Sequence, residues 1–352
     1  MTTIQTKTEL CVWAEYGWID GDDKIRSKGY FLFIEKEQLL NPKFYPEMNF
    51  DGSSTNQAIQ TKSEIILKPI KLLRDPMKER RDASSPVTIL VWCSCWNPDG
   101  TPHHLNTREQ LASWLLEHKE WEVAEEPMFG LEQEYFITCR GEPIKSMIPE
   151  ATSQGPYYCG YGSHQRIGRK IAEEHARRCA NIGILLWGMN AEVAPGQWEF
   201  QTRPNMSLET GDELWIARWI LSRTAEDLEL DIHYHPKLFG EQWNGSGCHL
   251  NVSTKTTRDV EEGYLQVIER IQTYHEQNPA WDSYGKENHL RLTGTHETSS
   301  MNSFTSGVGD RTASIRIPNS TFQKKKGYLE DRRPAANIDP YLAILWMLKA
   351  IH

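Results

Sequence analysis

The sequence predicts an α+β fold in two parts, and three observations carry that reading. At 352 residues the chain has room for about two domains of roughly 150 residues each. Residues 10 to about 96 hold short β-branched and aromatic runs separated by turns, the signature of a small sheet. Beyond about residue 107, apolar residues recur at helical spacing and alternate with strand-like segments.

In chain order, CVWAEYGWI, GYFLFIE, EIILKPI and VTILVWCSCW read as strands, with Asp20-Gly21-Asp22-Asp23 as a turn between the first two. Asp75 to Pro86 is polar, and Asn97-Pro98-Asp99-Gly100-Thr101-Pro102 is dense in strong turn formers. The second stretch marks the expected boundary between a domain over 8–97 and another over 102–352. Thr107 can cap a helix whose Leu111, Trp114, Leu115 and His118 share a face, and similar patterns recur near 164–182, 208–228, 260–276 and 340–351. Strand-like segments fall at 128–138, 187–201, 247–253, 289–293 and 313–317. No internal repeat, GxGxxG or Walker A loop is present.

The 39 Lys+Arg against 48 Asp+Glu leave a formal charge of −9, and no basic block stands out. Nucleic acid and anionic membrane are therefore not expected partners, since both are bound chiefly through clustered positive charge. Seven scattered cysteines without a CxxC pair point away from disulfides and thiolate zinc. The opening MTTIQTKTEL lacks a signal-peptide core, and no apolar run approaches the ~20 residues that cross a bilayer. A cytoplasmic location is expected.

Four clusters carry the chemistry. In Phe129–Phe136 (FGLEQEYF), Glu132 and Glu134 stand two apart, so in a strand both carboxylates project from one side of the sheet. A strand with one solvated face would show the same pattern. Gly188–Gln201 (GMNAEVAPGQWEFQ) reads as two strands about a Pro-Gly turn. A turn centred on Pro195-Gly196 places Glu192 opposite Glu199, an arrangement that a cation would stabilise. Asn244–Ser253 (NGSGCHLNVS) is a glycine-rich loop entering a strand with His249, Asn251 and Ser253 on one face. Toward the C-terminus, Arg291, Arg311, Arg316 and Arg332 lie among acids including Glu297 and Glu330, and surface ion pairs are the plainer alternative. Arginine forks grip carboxylate and phosphate oxygens. Several carboxylates with one imidazole suit Mg²⁺ or Mn²⁺, and paired cations with arginines suit phosphoryl transfer. Spacing alone leaves kinase, ligase and phosphohydrolase open.

NFDGSS, FGLEQEY, GPYYCGYG, NAEVAPGQWEFQ, NGSGCH, RLTGTHET, ASIRIP and GYLEDRRPAANIDP occur in that order. Together they resemble glutamine synthetase of the eukaryotic (type II) form, from about Trp18 to Pro340. The resemblance implies an N-terminal β-grasp domain and a catalytic domain whose antiparallel sheet is flanked by helices. It also implies a ring assembly, typically a decamer of two pentamers, with active sites between subunits. The implied reaction is ATP-dependent amidation of L-glutamate by ammonia through γ-glutamyl phosphate. A γ-glutamyl ligase for another amine and a catalytically inactive relative are the alternatives.

Carried onto this sequence, the resemblance assigns Glu134, Glu192 and Glu199 to one metal and Glu132, His249 and Glu330 to a second. Arg332 would steady the transferring phosphoryl group, Arg311 and Arg316 would reach phosphate, and Arg291 would pair with the α-carboxylate of glutamate. Asn244 and Gly245, with Glu134, Arg311 and Arg332, would border glutamate. Asn251, Ser253, Pro204 and Tyr328, with Glu132, would border the nucleotide. Glu297 would close over the acyl phosphate as a flap residue. Asp51, a plain Asp-Gly turn by sequence alone, would reach the site of an adjacent subunit and take a proton from ammonium. Three departures stand out: Ser299–Phe304 after the flap, Asp310 before Arg311 where asparagine is common, and a short N-terminal arm.

Overall fold

The structure, a computed structural model, describes residues 9–77, 85–144, 155, 157–162 and 166–352. The N-terminal arm and most of the polar stretch from Asp75 to Pro86 lie outside them. The chain divides into two compact units, Met1–Gln110 and Leu111–His352.

The first unit is a five-stranded sheet in the order β2-β1-β5-β4-β3: β1 (Glu9–Ile19), β2 (Ile25–Glu35), β3 (Met48–Asp51), β4 (Glu64–Arg74) and β5 (Val87–Trp96). Strands β1 and β5 run parallel and the remaining pairs antiparallel, the mixed arrangement of a β-grasp. Val12, Ala14, Tyr16 and Trp18 alternate along β1 into a core with Ile34, Ile65, Leu67, Ile89 and Val91. The expected turn forms because Asp20 accepts from the backbone N–H groups of Asp22 and Lys24 and from Arg26 Nε. The short β3 was not visible in the sequence, where its residues read only as a turn.

The second unit opens during α1 (Thr107–Glu117), where Asn106 Oδ1, one residue before the expected cap, accepts from Glu109 N–H at 3.2 Å. After α2 (Lys119–Glu125) its strands are β6 (Met128–Cys139), β7 (Glu142–Pro143), β8 (Leu186–Ala191), β9 (Gln197–Thr202), β10 (Asp231–His233), β11 (Cys248–Ser253), β12 (Ser306–Val308), β13 (Ile315–Ile317) and β14 (Leu329–Asp331). They form a nine-stranded sheet along β12-β13-β14-β11-β6-β9-β8, with β7 and β10 added to β6. Every pairing is antiparallel except β12 with β13.

Helices α3 (Arg166–Asn181), α4 (Ser207–Glu226), α5 (Lys255–Asp259), α6 (Gly263–Gln277), α7 (Asn319–Lys324) and α8 (Pro340–Ile351) complete the unit. Helix α4 is buried nearly all round, Asp212, Glu213 and Arg218 included, and packs between the sheet and its neighbours α3 and α8. Asp339 starts α8 by accepting from Tyr341 N–H at 2.8 Å, ahead of Pro340 at the first helical position. This layer fills one face of β6 with Leu131, Gln133 and Tyr135, all fully buried. Glu132 and Glu134 take the other face.

Two sequence expectations fail in detail. Segment 289–293 is no strand: Asn288–Leu290 is a 3₁₀ turn entered by Glu287 at φ 57°. Asn288 Nδ2 is tied to the carbonyls of Tyr284 and Arg333, so side-chain bonding overrides a two-leucine alternation. Glu192 does not oppose Glu199, which pairs instead with Asn190 on β8. The connection is Val193–Gly196, where Gln197 N–H bonds Ala194 O and Gly196 sits at φ 74°. Pro195-Gly196 does form the centre of a turn, as expected, but Glu192 N–H bonds Gln197 O beyond it, so Glu192 faces Gln197 and the strand register shifts.

Candidate active site

Strand pairing lays the polar face of the sheet out in rows, because directly opposed residues share a face. One row is Asn190–Glu199–Glu134, the next Gln201–Glu132–His249, and a third Asn251–Glu330–Arg316. Two glutamates are thus directly opposed after all, Glu134 with Glu199 across β6 and β9. Uncompensated, that pair would weaken the ladder.

Above this face lies a cavity of about 840 Å³ lined by Glu132, Glu134, Glu192, Glu199, His249 and Glu330. Asn244, Gly245, Arg291, Glu297, Arg311, Arg316, Tyr328 and Arg332 line it too. Donor atoms of Glu132, Glu199 and His249 lie within 4.8 Å of one another, a trio that takes members from both expected metal sets. His249 Nδ1 stands 3.5 Å from Glu132 Oε2 and 3.6 Å from Glu330 Oε1, while Nε2 is 3.9 Å from Glu134 Oε1. Burial, reinforced by Arg332, holds this imidazole well below its ordinary pKa, so the ring is neutral and these contacts are not ion pairs. Its buried Nδ1 lacks a hydrogen-bond partner.

The carboxylates share the opposite perturbation. Burial pushes Glu134 up to about 7 against the pull of Arg291, and pushes Glu192 up to about 8 with help from Glu134. Glu199 rises well above the carboxylate range, again through burial first and then Glu132 and Glu134. Acids this buried, beside a neutral imidazole with an orphaned nitrogen, fit divalent cations: the donors are hard oxygens and one nitrogen, and the missing component is positive charge.

Amide side chains hold the acids in place, and sequence reasoning missed them. Gln197 Nε2 donates to Glu134 Oε2 (3.2 Å) and Gly245 O (3.0 Å), while its Oε1 accepts from Asn244 Nδ2 (3.1 Å). Gln201 donates to Glu199 and Asn190 to Glu192, each at 2.8 Å. The signal was present, since Gln197, Glu199 and Gln201 occupy alternate positions of one strand. On the far side of β6, Gln133 accepts twice from the buried guanidinium of Arg218, which also donates to the carbonyls of Ala336 and Ile338.

The cations are equally constrained. Arg332 Nη1 donates to Glu330 Oε1 at 2.6 Å, and Arg316 holds the other oxygen of Glu330. Arg291 is buried, donating to the carbonyls of Arg332 (2.8 Å) and Arg333 (3.2 Å), with Nη2 3.3 Å from His249 Nε2. Gly247 makes that approach possible: a Cβ there would sit 2.6 Å from Arg291 Nη2 and 2.9 Å from His249 Nε2. His296 and Glu297 are consecutive left-handed residues, φ 53° and 58°, on an exposed loop whose Glu297 carbonyl accepts from Arg332. Asp310 bonds Thr312 through both its N–H and its hydroxyl, which occupies the added carboxylate.

A second cavity of about 320 Å³ shares Glu132, Gln201 and Tyr328 with the first and gathers Pro204, Asn251 and Ser253. Trp187 and Arg258 also line it, and neither was singled out from sequence. Asp51 belongs to the other unit, where it ends β3. Its carboxylate accepts from Ser53 N–H, Ser53 Oγ and Ser54 Oγ, bonds that keep it below the usual carboxylate range.

Comparison with known proteins gives this arrangement a context. Residues 104–262 match the family description "Glutamine synthetase, catalytic domain". The chain is 45% identical over 335 residues to a glutamine synthetase of Saccharomyces cerevisiae, covering 94% of this chain and 86% of that protein. It is 44% identical over 346 residues to one from Tuber borchii, covering 96% and 91% respectively. A solved structure described as "GmaS/ADP complex-Conformation 1" superposes with a TM-score of 0.72 at 20% identity, covering 96% of this chain and 78% of that one, which establishes likeness of fold. No helix among the described residues is long and apolar enough to cross a membrane.

Proposed function

The chain belongs to the glutamine synthetase family, and from that premise we propose how its residues perform the ATP-dependent amidation of L-glutamate to L-glutamine. The observation that carries the proposal is the convergence of six metal-competent side chains and four arginines on one cavity. Two reactants that are both anions, glutamate and ATP, repel each other unless that charge is offset.

Glu134, Glu192 and Glu199 would hold one divalent cation and Glu132, His249 and Glu330 a second, Mg²⁺ or Mn²⁺ by donor type. When bound, such ions neutralise charge on glutamate and on the ATP phosphates. The protein's own groups do the rest. Arg291 would orient the glutamate α-carboxylate, its guanidinium pinned by two carbonyls, and Asn244 and Gly245 would border the same substrate, held by Gln197. Arg311, Arg316 and Arg332 would take phosphate oxygens, with Arg332 beside the transferring group. Glu297 would close the mouth and exclude water from γ-glutamyl phosphate. Asn251, Ser253, Pro204 and Tyr328 would border the nucleotide in the smaller cavity.

Asp51 would complete the site of a neighbouring copy, its ionised carboxylate taking a proton from ammonium, within rings that stack as a decamer of two pentamers. A cytoplasmic setting agrees with seven free thiols, of which Cys93, Cys95, Cys179 and Cys248 are buried.

Incubation with ATP, Mg²⁺ or Mn²⁺, glutamate and hydroxylamine should yield γ-glutamyl hydroxamate. Absence of product with every divalent metal tried would sink the reading, and ammonium should outcompete larger amines as acceptor.

A further inference from the structure

Trp187 is 71% exposed, an unusual state for so large an apolar side chain on a sheet. Its position has a local cause. Leu186 pairs with Thr202 and Gly188 with Gln201, so the register slips between them and Trp187 is the extra residue of a bulge. A bulge interrupts the strict alternation of side chains and re-aims the residue it carries. Here the indole joins the wall of the smaller cavity beside Pro204 and Tyr328. Gly188 belongs to the same device, since a Cβ at that position would lie 2.7 Å from Gln201 Oε1.

The cavity has the chemistry of a base pocket. Met128, Pro204, Val252, Tyr328 and Trp187 give it an apolar wall, and its volume of about 320 Å³ suits one planar ring system, not a whole nucleotide. It shares Tyr328, Gln201 and Glu132 with the neighbouring cavity that Arg311, Arg316 and Arg332 line. A ligand spanning both would put its rings against tryptophan and its phosphates against arginine.

Resting on the nucleotide placement proposed above, we infer that Trp187 is a stacking wall for the purine base and a determinant of purine preference. An indole face offers a large planar surface, and stacking on it favours the larger ring system of a purine over a pyrimidine. Because the side chain is mostly exposed without ligand, it contributes little to folding, and its removal should act on binding.

Calorimetric titration with ADP and with CDP, in the presence of Mg²⁺, tests this on the full chain, Trp187→Ala, Trp187→Phe and Tyr328→Ala, with thermal melting to confirm that each is folded. Trp187→Ala should weaken ADP about tenfold or more and shrink the preference for ADP over CDP, whereas Trp187→Phe should stay within about threefold for ADP. ADP affinity unchanged in Trp187→Ala but lost in Tyr328→Ala overturns the inference and leaves the pocket standing. ADP affinity unchanged in both variants means that the base lies elsewhere, and both the inference and the pocket assignment fall.

Discussion

Glu330 accepts from Arg332 on one oxygen and from Arg316 on the other, although the same carboxylate is proposed to hold a metal with Glu132 and His249. Glu330→Gln keeps an acceptor for Arg332 but removes the charge. Hydroxamate formation should fall by at least about a hundredfold, as expected when charge complementarity to a reacting phosphoryl group is lost, while circular dichroism stays that of the parent. Full activity would exclude Glu330 from the centre. Burial of Glu134, Glu192 and Glu199 gives a second consequence at the same scale. Their folded pKa values lie above their unfolded ones, to about 7 for Glu134 and about 8 for Glu192, so above the ordinary carboxylate range the folded state retains protons that the unfolded chain has lost. The contribution of these carboxylates to the stability of metal-free protein must then fall as pH rises from about 4.5 toward 8, while His175, His249 and His275, held below the ordinary imidazole value by burial, oppose it up to about pH 6.5. Melting in EDTA should give a lower midpoint at pH 8 than at about pH 6.5, a window above the histidine titration in which the carboxylates dominate. Mn²⁺ should raise the midpoint far more at pH 8, where the ligands are ionised. A midpoint that climbs across that window in EDTA would contradict the burial argument.

Between elements, Gln197 is the tie from the β8–β9 hairpin to the loop entering β11, touching Glu134, Asn244 and Gly245 at once. Gln197→Met keeps side-chain length and drops the hydrogen bonds. The loop proposed to border glutamate should loosen, raising KM for glutamate about tenfold while KM for ATP moves less than about threefold, the pattern of lost substrate positioning. Equal effects on both substrates would mean that Gln197 supports the whole sheet. This tie shows where sequence reading reaches and where it stops. The face shared by Glu132 and Glu134, and that shared by His249 and Asn251, follow from the period of a strand and were legible. The opposition of Glu134 with Glu199 was not, because register depends on the length of the Val193–Gly196 loop and on which distant strand pairs with β6. The bulge at Trp187 and the 3₁₀ turn at Asn288 escaped for the same reason: long-range pairing and side-chain bonds to remote carbonyls set them, and local composition does not register either.

At the scale of the molecule, the acids of the cavity and Asp51 lie in different compact units, Leu111–His352 and Met1–Gln110. The division into a strand-rich N-terminal part and a mixed larger part was legible from composition and periodicity. The task proposed for Asp51 was not, because nothing within its own turn calls for more than the hydrogen bonds from Ser53 and Ser54. Those bonds keep an exposed carboxylate ionised and oriented at neutral pH, which is what capture of a cation requires. If sites are shared around a ring, Asp51→Ala and Glu199→Ala damage different halves of each site, and each homogeneous mutant should be inactive. Co-expressed in equal amounts with distinct tags, they form mixed rings in which about a quarter of sites draw Asp51 from one intact neighbour and Glu199 from the other, as random placement around a cyclic assembly dictates. Tandem-tag purification should therefore recover hydroxamate activity at about that fraction of the parent. Mixed rings, verified by mass, that stay inactive would mean that each chain builds its site alone.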